Sequence, residues 1–193
     1  MPQLNAASGA STGGTDAAPP GLARQVVVMG VSGCGKSTVG VLLADGLGAR
    51  YVEGDEHHPP ANVERMRAGI PLTDADRAPW LQVLAGLLHE AVAAGQSLVL
   101  SCSALKRRYR DQLRSGAPRL HFVHLHGTPE LLQQRVAARH HAYMPPTLLQ
   151  SQLEALEPPG ADERARGFDI TEAPEAIAAR ALQWLRAQPE SRA

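Results

Sequence analysis

The sequence predicts a three-layer α/β/α fold built on a parallel sheet, and three observations carry that prediction. The run Gly30-Val31-Ser32-Gly33-Cys34-Gly35-Lys36-Ser37 follows the apolar stretch Val26-Val27-Val28-Met29 and opens a helical pattern, which is the strand, loop, helix order of a phosphate-binding loop. Beyond it, short apolar runs alternate with segments of helical periodicity, as strands joined by crossover helices require. The chain has 193 residues, 44% of them hydrophobic, enough for one α/β core and too few for two comfortable ones.

Taken in order, Met1 to about Leu22 is rich in Ala, Ser, Gly, Thr and Pro and reads as a disordered extension. Residues 23–190 read as a single domain. Arg24 to Met29 forms the first strand, and Lys36 to Leu47 the first helix, with Val39, Leu42, Leu43 and Leu47 on one face and Gly48 as its stop. A short strand at Arg50 to Val52 runs into Glu53-Gly54-Asp55. Ligands of open α/β sheets bind at the carboxyl ends of strands, so both acids should face the loop.

Glu56 to Ala78 is polar, interrupted by Pro59, Pro60 and Pro71, and weakly helical over Asn62 to Ala68; it reads as an insertion. Pro79 to Ala94 is a helix with Trp80, Leu81, Leu84, Leu87, Leu88 and Val92 inward, and Trp80 is expected to anchor it in the core. Ser97 to Cys102 is a buried strand, Leu105 to Arg114 an arginine-rich helix, and Leu120 to Leu125 a strand. His121, His124 and His126 keep no common alternation and lack a completing acid or cysteine, so they read as surface or packed histidines. Glu130 to Arg139 is helical, Arg139 to Pro146 irregular, and Thr147 caps a helix through Leu156, an excursion that can act as a lid at about residues 135–150. A strand at Phe168 to Ile170 and a helix from Pro174 to about Ala187, with Ile177, Ala181, Leu182 and Leu185 inward, close the chain.

Formal net charge is zero, and no Lys/Arg cluster is interleaved with aromatics, which argues against a nucleic-acid partner; Arg107-Arg108-Tyr109-Arg110 is too short to reverse this. No stretch approaches a membrane span and the N-terminus has no basic region followed by an apolar core. Cys34 and Cys102 suit reduced thiols, and a cytoplasmic location is expected. Of the 19 basic residues only Lys36 and Lys106 are lysines, which marks both as places where a compact point charge is wanted.

The loop supplies a donor half for phosphoryl transfer. Backbone N–H groups of Gly30, Val31, Ser32, Gly33, Cys34 and Gly35, with Lys36, Ser37 and Thr38 at the helix start, would cradle the phosphates of ATP. Lys36 would neutralise the β- and γ-phosphates and the Ser37 hydroxyl would ligate Mg²⁺. Arg135 and Arg139, one turn apart, are candidates for mobile cations over the transferred group. Asp55 is the carboxylate best placed to take a hydroxyl proton. A GTPase would carry an Asn-Lys-x-Asp motif, and a remodelling ATPase an apolar strand ending in Asp-Glu; neither is present. A small-molecule kinase remains, against a nucleotide-binding regulatory module whose hydrolysis is incidental.

Further motifs narrow the class. Gly54-Asp55-Glu56-His57-His58-Pro59, continuing through Asn62, Met66, Gly69, Pro71-Leu72, Asp74, Asp76-Arg77 and Pro79-Trp80-Leu81, resembles the pattern of the gluconokinases. So do Cys102-Ser103-Ala104-Leu105-Lys106 with Tyr109-Arg110-Asp111 and Leu113-Arg114, and Leu148-Leu149 with Ser151-Gln152-Leu153 and Leu156-Glu157. The likeness covers about Gln25 to Leu185. It implies ATP-dependent phosphorylation of the 6-hydroxyl of D-gluconate, on a fold similar to shikimate and nucleoside monophosphate kinases: a five-stranded parallel sheet in order 2-3-1-4-5, a substrate-binding insertion and a helical lid. The same fold could serve a shikimate- or nucleotide-type kinase. The likeness also puts Glu53 where related kinases hold a Mg²⁺-associated Asp, puts Asp55 where they grip the acceptor hydroxyl, and implies a homodimer. Gluconate needs a cation for its carboxylate, for which Arg77, Lys106 and Arg110 are candidates, and polar groups for its hydroxyls, for which His58 and Ser103 are candidates.

Overall fold

The computed structural model describes residues 23–138 and 146–189. The segment expected as a disordered extension therefore lies outside the described residues, as does Arg139. Five strands form one parallel sheet in the order β2-β3-β1-β4-β5, as expected. They are β1 (Gln25–Met29), β2 (Arg50–Glu53), β3 (Leu98–Ser101), β4 (His121–His126) and β5 (Ala165–Asp169).

The central strand β1 is buried throughout, and its alternation divides the core. Val26 and Val28 face one side, with Val39 and Leu43 of helix α1 (Lys36–Leu47) and Ile177 and Leu185 of α7 (Pro174–Arg186). Val27 and Met29 face the other, with Trp80, Leu84 and Leu88 of α3 (Asp74–Ala93) and Leu113 of α4 (Arg107–Gly116). Period-two alternation with apolar residues on both faces produces a sheet covered by helices on each side. The remaining helices are α2 (Pro60–Arg67), α5 (Pro129–Ala137) and α6 (Pro146–Ala155). No described helix is long and apolar enough to cross a membrane.

Two elements and one side chain depart from expectation. Helix α3 begins at Asp74 rather than Pro79: Thr73 caps it, its hydroxyl accepting from Asp76 N while the Asp76 carboxylate accepts from Thr73 N at 2.8 Å. That reciprocal box starts the helix five residues early and Pro79 is accommodated inside it, at the loss of one backbone bond. Strand β5 begins at Ala165, because its edge position lets exposed Arg166 and Gly167 pair with Val123 and His124. Val92, expected inward, is 42% exposed, since α3 leans on the sheet through Trp80, Leu81, Leu84 and Leu88.

Candidate active site

The carboxyl ends of β1, β2 and β3 converge on the glycine-rich loop. Gly35, at φ +94°, sits immediately before α1 and turns the chain into the helix, a conformation open to glycine at little cost. Lys36 folds back over the loop, Nζ donating to Val31 O at 3.2 Å. Ser37 donates to Glu53 Oε2 at 2.6 Å and Tyr51 to the same oxygen at 2.7 Å. The Ser101 hydroxyl donates to Glu53 Oε1 and accepts from Gly54 N at 3.2 Å. Burial acts to raise the Glu53 carboxyl, but the hydroxyls of Ser101, Ser37 and Tyr51 and the Lys36 charge outweigh it and hold it below the ordinary value. Burial, with Glu53 adding to it, pushes the Tyr51 phenol up to about 12.

After β2 the chain makes a 3-10 turn, Gly54–His57. Gly54 lies so close to Ser101 O that no Cβ fits there. Trp80 Nε1 donates to Gly54 O at 2.8 Å, so the core tryptophan also fixes this turn. His58 stacks on Trp80, centroids 3.9 Å apart, with Nε2 4.0 Å from Asp55 Oδ1. Burial, aided by the Arg77 charge, pushes His58 down to about 4, so its imidazole is neutral at neutral pH. Asp55 opens to the cleft, its side chain 56% exposed, yet protein crowds it. That desolvation raises its carboxyl, opposed by Lys36 and Arg77 and reinforced by Glu53.

Lys36, Ser32, Asp55, His58, Arg77 and Ser103 line one pocket. Met66, Pro71 and Leu72 of the polar insertion wall it, and Leu148, Ser151 and Gln152 of α6 roof it. A second cleft lies across the loop, where Gly33, Cys34, Gly35 and Thr38 face Arg135 of α5, with Glu172, Pro174 and Ile177 opposite. Arg135 Nη2 donates to Ile170 O at 2.6 Å. The loop thus stands between two concavities.

Two expected acceptor residues lie elsewhere. Arg110 is fully buried, its Nε and Nη2 donating to the two oxygens of Glu163 at 2.7 and 2.9 Å and its Nη1 to the carbonyls of Ala104, Leu105 and Glu157. With all three nitrogens engaged and no solvent path, it has no donor to offer a carboxylate in the pocket, and the expectation for it is corrected. Lys106 does not line the pocket; its Nζ pairs with Asp74 Oδ1 at 3.0 Å. Asp74 also binds Arg108 and the Tyr109 hydroxyl. Arg77 and Lys106 flank the same Tyr109 ring, 5.9 and 5.8 Å from its centroid.

Sequence reasoning missed several participants. Tyr51 was signalled by its position two residues before Glu53, on the same strand face. Gln152, whose Oε1 accepts Ser32 N at 2.7 Å, belongs to the Ser151-Gln152 motif but carried no assignment. Nothing along the chain pointed to Glu163.

Residues 26–159 match the family described as AAA domain. A gluconokinase of Gluconobacter oxydans is 54% identical over 140 residues, covering 72% of this chain and 79% of that protein. The chain belongs to the gluconokinase family. The thermosensitive gluconokinase of Escherichia coli is 44% identical over 138 residues, covering 72% of this chain and 74% of its own length. The crystal structure of a gluconokinase from Sinorhizobium meliloti superposes with a TM-score of 0.77 at 46% identity, over 86% of this chain and 93% of that one. Shikimate kinase from Aquifex aeolicus, at 17% identity and a TM-score of 0.55 over 84% of this chain and 96% of its own, shares the fold. ATP binding follows from membership of this kinase family.

Proposed function

We propose that this chain transfers the γ-phosphoryl group of ATP to the 6-hydroxyl of D-gluconate, giving 6-phospho-D-gluconate and ADP. The observation that carries this reading is the pocket in which Lys36 of the phosphate loop faces Asp55, with Arg77, His58 and Ser103 around them. A cation, a base and neutral hydrogen-bonding groups in one concavity suit a small polyol carboxylate.

The new O–P bond forms at the 6-oxygen as the bond to the ADP oxygen breaks, and Asp55 takes the hydroxyl proton. Its upward-shifted carboxyl is the better base for being crowded. Lys36 offsets charge on the transferred group, and Arg135 is a cation on the nucleotide side. Arg77 is the pocket's fork for the substrate carboxylate. His58, neutral and stacked on Trp80, offers hydrogen bonds to hydroxyls without adding charge. Arg139 keeps its expected role over the γ-phosphoryl as part of this proposal.

The Ser37 hydroxyl and the Glu53 carboxylate, 2.6 Å apart, are hard oxygen donors that fit Mg²⁺. Ser37 and Glu53 would hold the ion, which would supply charge neutralisation to the phosphates. Ser101 and Tyr51 keep Glu53 ionised and oriented for that task. Family likeness also leads us to propose a cytoplasmic homodimer.

The test is ADP release in a coupled assay with gluconate, shikimate, AMP and other sugar acids, with the phosphorylated carbon identified by NMR. Turnover confined to gluconate, with phosphate on carbon 6, is expected. Equal or faster turnover of shikimate or AMP, or hydrolysis indifferent to any acceptor, overturns it.

A further inference from the structure

Helix α6 touches both halves of the reaction. On the donor side Gln152, only 7% exposed, accepts the Ser32 N–H at 2.7 Å. Just beyond the helix, Glu157 N donates to Leu105 O at 2.9 Å, and the Glu157 carboxylate accepts Arg107 N at 2.6 Å. Arg110 Nη1 donates to Glu157 O at 3.0 Å. One turn before Gln152, Leu149 is buried in the core shared with β1 and α1. The helix is therefore a strut with one foot on the phosphate loop and the other on the segment that carries Ser103 and Lys106.

The Ser32 N–H, expected among the phosphate-cradling amides, is instead taken by Gln152, which corrects that expectation. Ser32 also lines the acceptor pocket with Asp55, Arg77 and Ser103, so it marks the end of the loop that faces the acceptor. We propose that Gln152 is a positioning residue for phosphoryl transfer. It ties the acceptor-facing end of the phosphate loop to α6, which keeps Leu148 and Ser151 roofed over the pocket and water away from the transferred group. The inference rests on the kinase reading above.

Exclusion of water separates transfer from hydrolysis, so the readout is their ratio. Gln152→Met keeps length and burial but removes the acceptor for Ser32 N–H. It should lower gluconate turnover about five- to tenfold, the size of one hydrogen bond, and raise the ratio of gluconate-independent ATP hydrolysis to transfer by at least as much. KM for ATP should stay within about twofold, since the phosphate-cradling amides are untouched. In the full chain without ligands, amide exchange at Ser32 should quicken in Gln152→Met and slow again in Gln152→Glu, which restores an oxygen at the same reach. Gln152→Asn, one methylene shorter, should change the ratio in the same direction without a sulfur in the core. A wild-type ratio in both the Met and Asn variants, or hydrolysis and transfer falling in equal proportion, overturns the proposal. Absence of gluconate turnover in the wild-type chain defeats the kinase reading instead, and Ser32 exchange still reports on the bond.

Discussion

Ser37 and Glu53 are joined by a 2.6 Å hydrogen bond that ties the first turn of α1 to the end of β2. With Ser101 and Tyr51 donating to the same carboxylate, the bond sets a hard oxygen pair at the mouth of the phosphate loop. Glu53→Gln removes the charge while keeping the shape. It should raise the Mg²⁺ concentration needed for half-maximal turnover about tenfold or more, with KM for gluconate little changed, as measured by Mg²⁺ titration at saturating substrates.

Asp55 lines the pocket beside Lys36, crowded and raised in pKa. As the proposed base it must be ionised, so turnover should rise with pH through that raised value and level off above it. Asp55→Asn should abolish this acid limb and lower kcat about 10²- to 10⁴-fold, with the melting temperature unchanged. Pre-steady-state rates across pH, compared with the wild type, measure both.

Arg77 lines the acceptor pocket, whereas Lys106 is paired with Asp74. Arg77→Ala should therefore raise KM for gluconate about tenfold or more and leave KM for ATP unchanged, because a charge-assisted bond to a carboxylate is worth roughly 1.5–3 kcal/mol. Lys106→Ala should have the smaller effect on gluconate. Steady-state kinetics on the two variants decide the order.

Arg110 and Glu163 form a buried pair, each side chain 1% exposed. Arg110→Ala leaves Glu163 with fewer partners in the interior and should cost about 3–5 kcal/mol of stability, read by urea unfolding. Burial acts to raise the Glu163 carboxyl, but Arg110, Arg114 and the Gly160 N–H overcome it and hold it at about 2. A carboxyl depressed on folding contributes stability above its unfolded value. That contribution should fade as pH falls from the ordinary glutamate range toward about 2, and Glu163→Gln should flatten this part of the acid unfolding curve.

The elements read correctly from the chain are those whose cause is local. Helix α1 matches residue for residue, because the glycine loop, the apolar spacing of Val39 and Leu43 and the Gly48 stop all lie within one short stretch. Local cause is not sufficient: α3 was expected from Pro79, although the Thr73 and Asp76 pair that caps it at Asp74 lies in one short stretch. The edge strand β5 was short of signal because most of its residues face solvent. Lys36 and Asp55 belong to motifs whose spacing encodes their chemistry, and they do share a pocket.

By itself, then, the sequence determined the parallel α/β architecture, the donor loop and the family, since these are written in periodicity and contiguous motifs. Tertiary structure decided which charged side chains are free to act. Arg77, Lys106 and Arg110 look alike along the chain, three cations in a sequence of zero formal net charge. Their different availability depends on partners 32 and 53 positions away for the latter two, Asp74 and Glu163. Whether a cation serves a substrate or a buried carboxylate depends on what the fold brings within about 3 Å of it, and spacing along the chain carries no record of that distance.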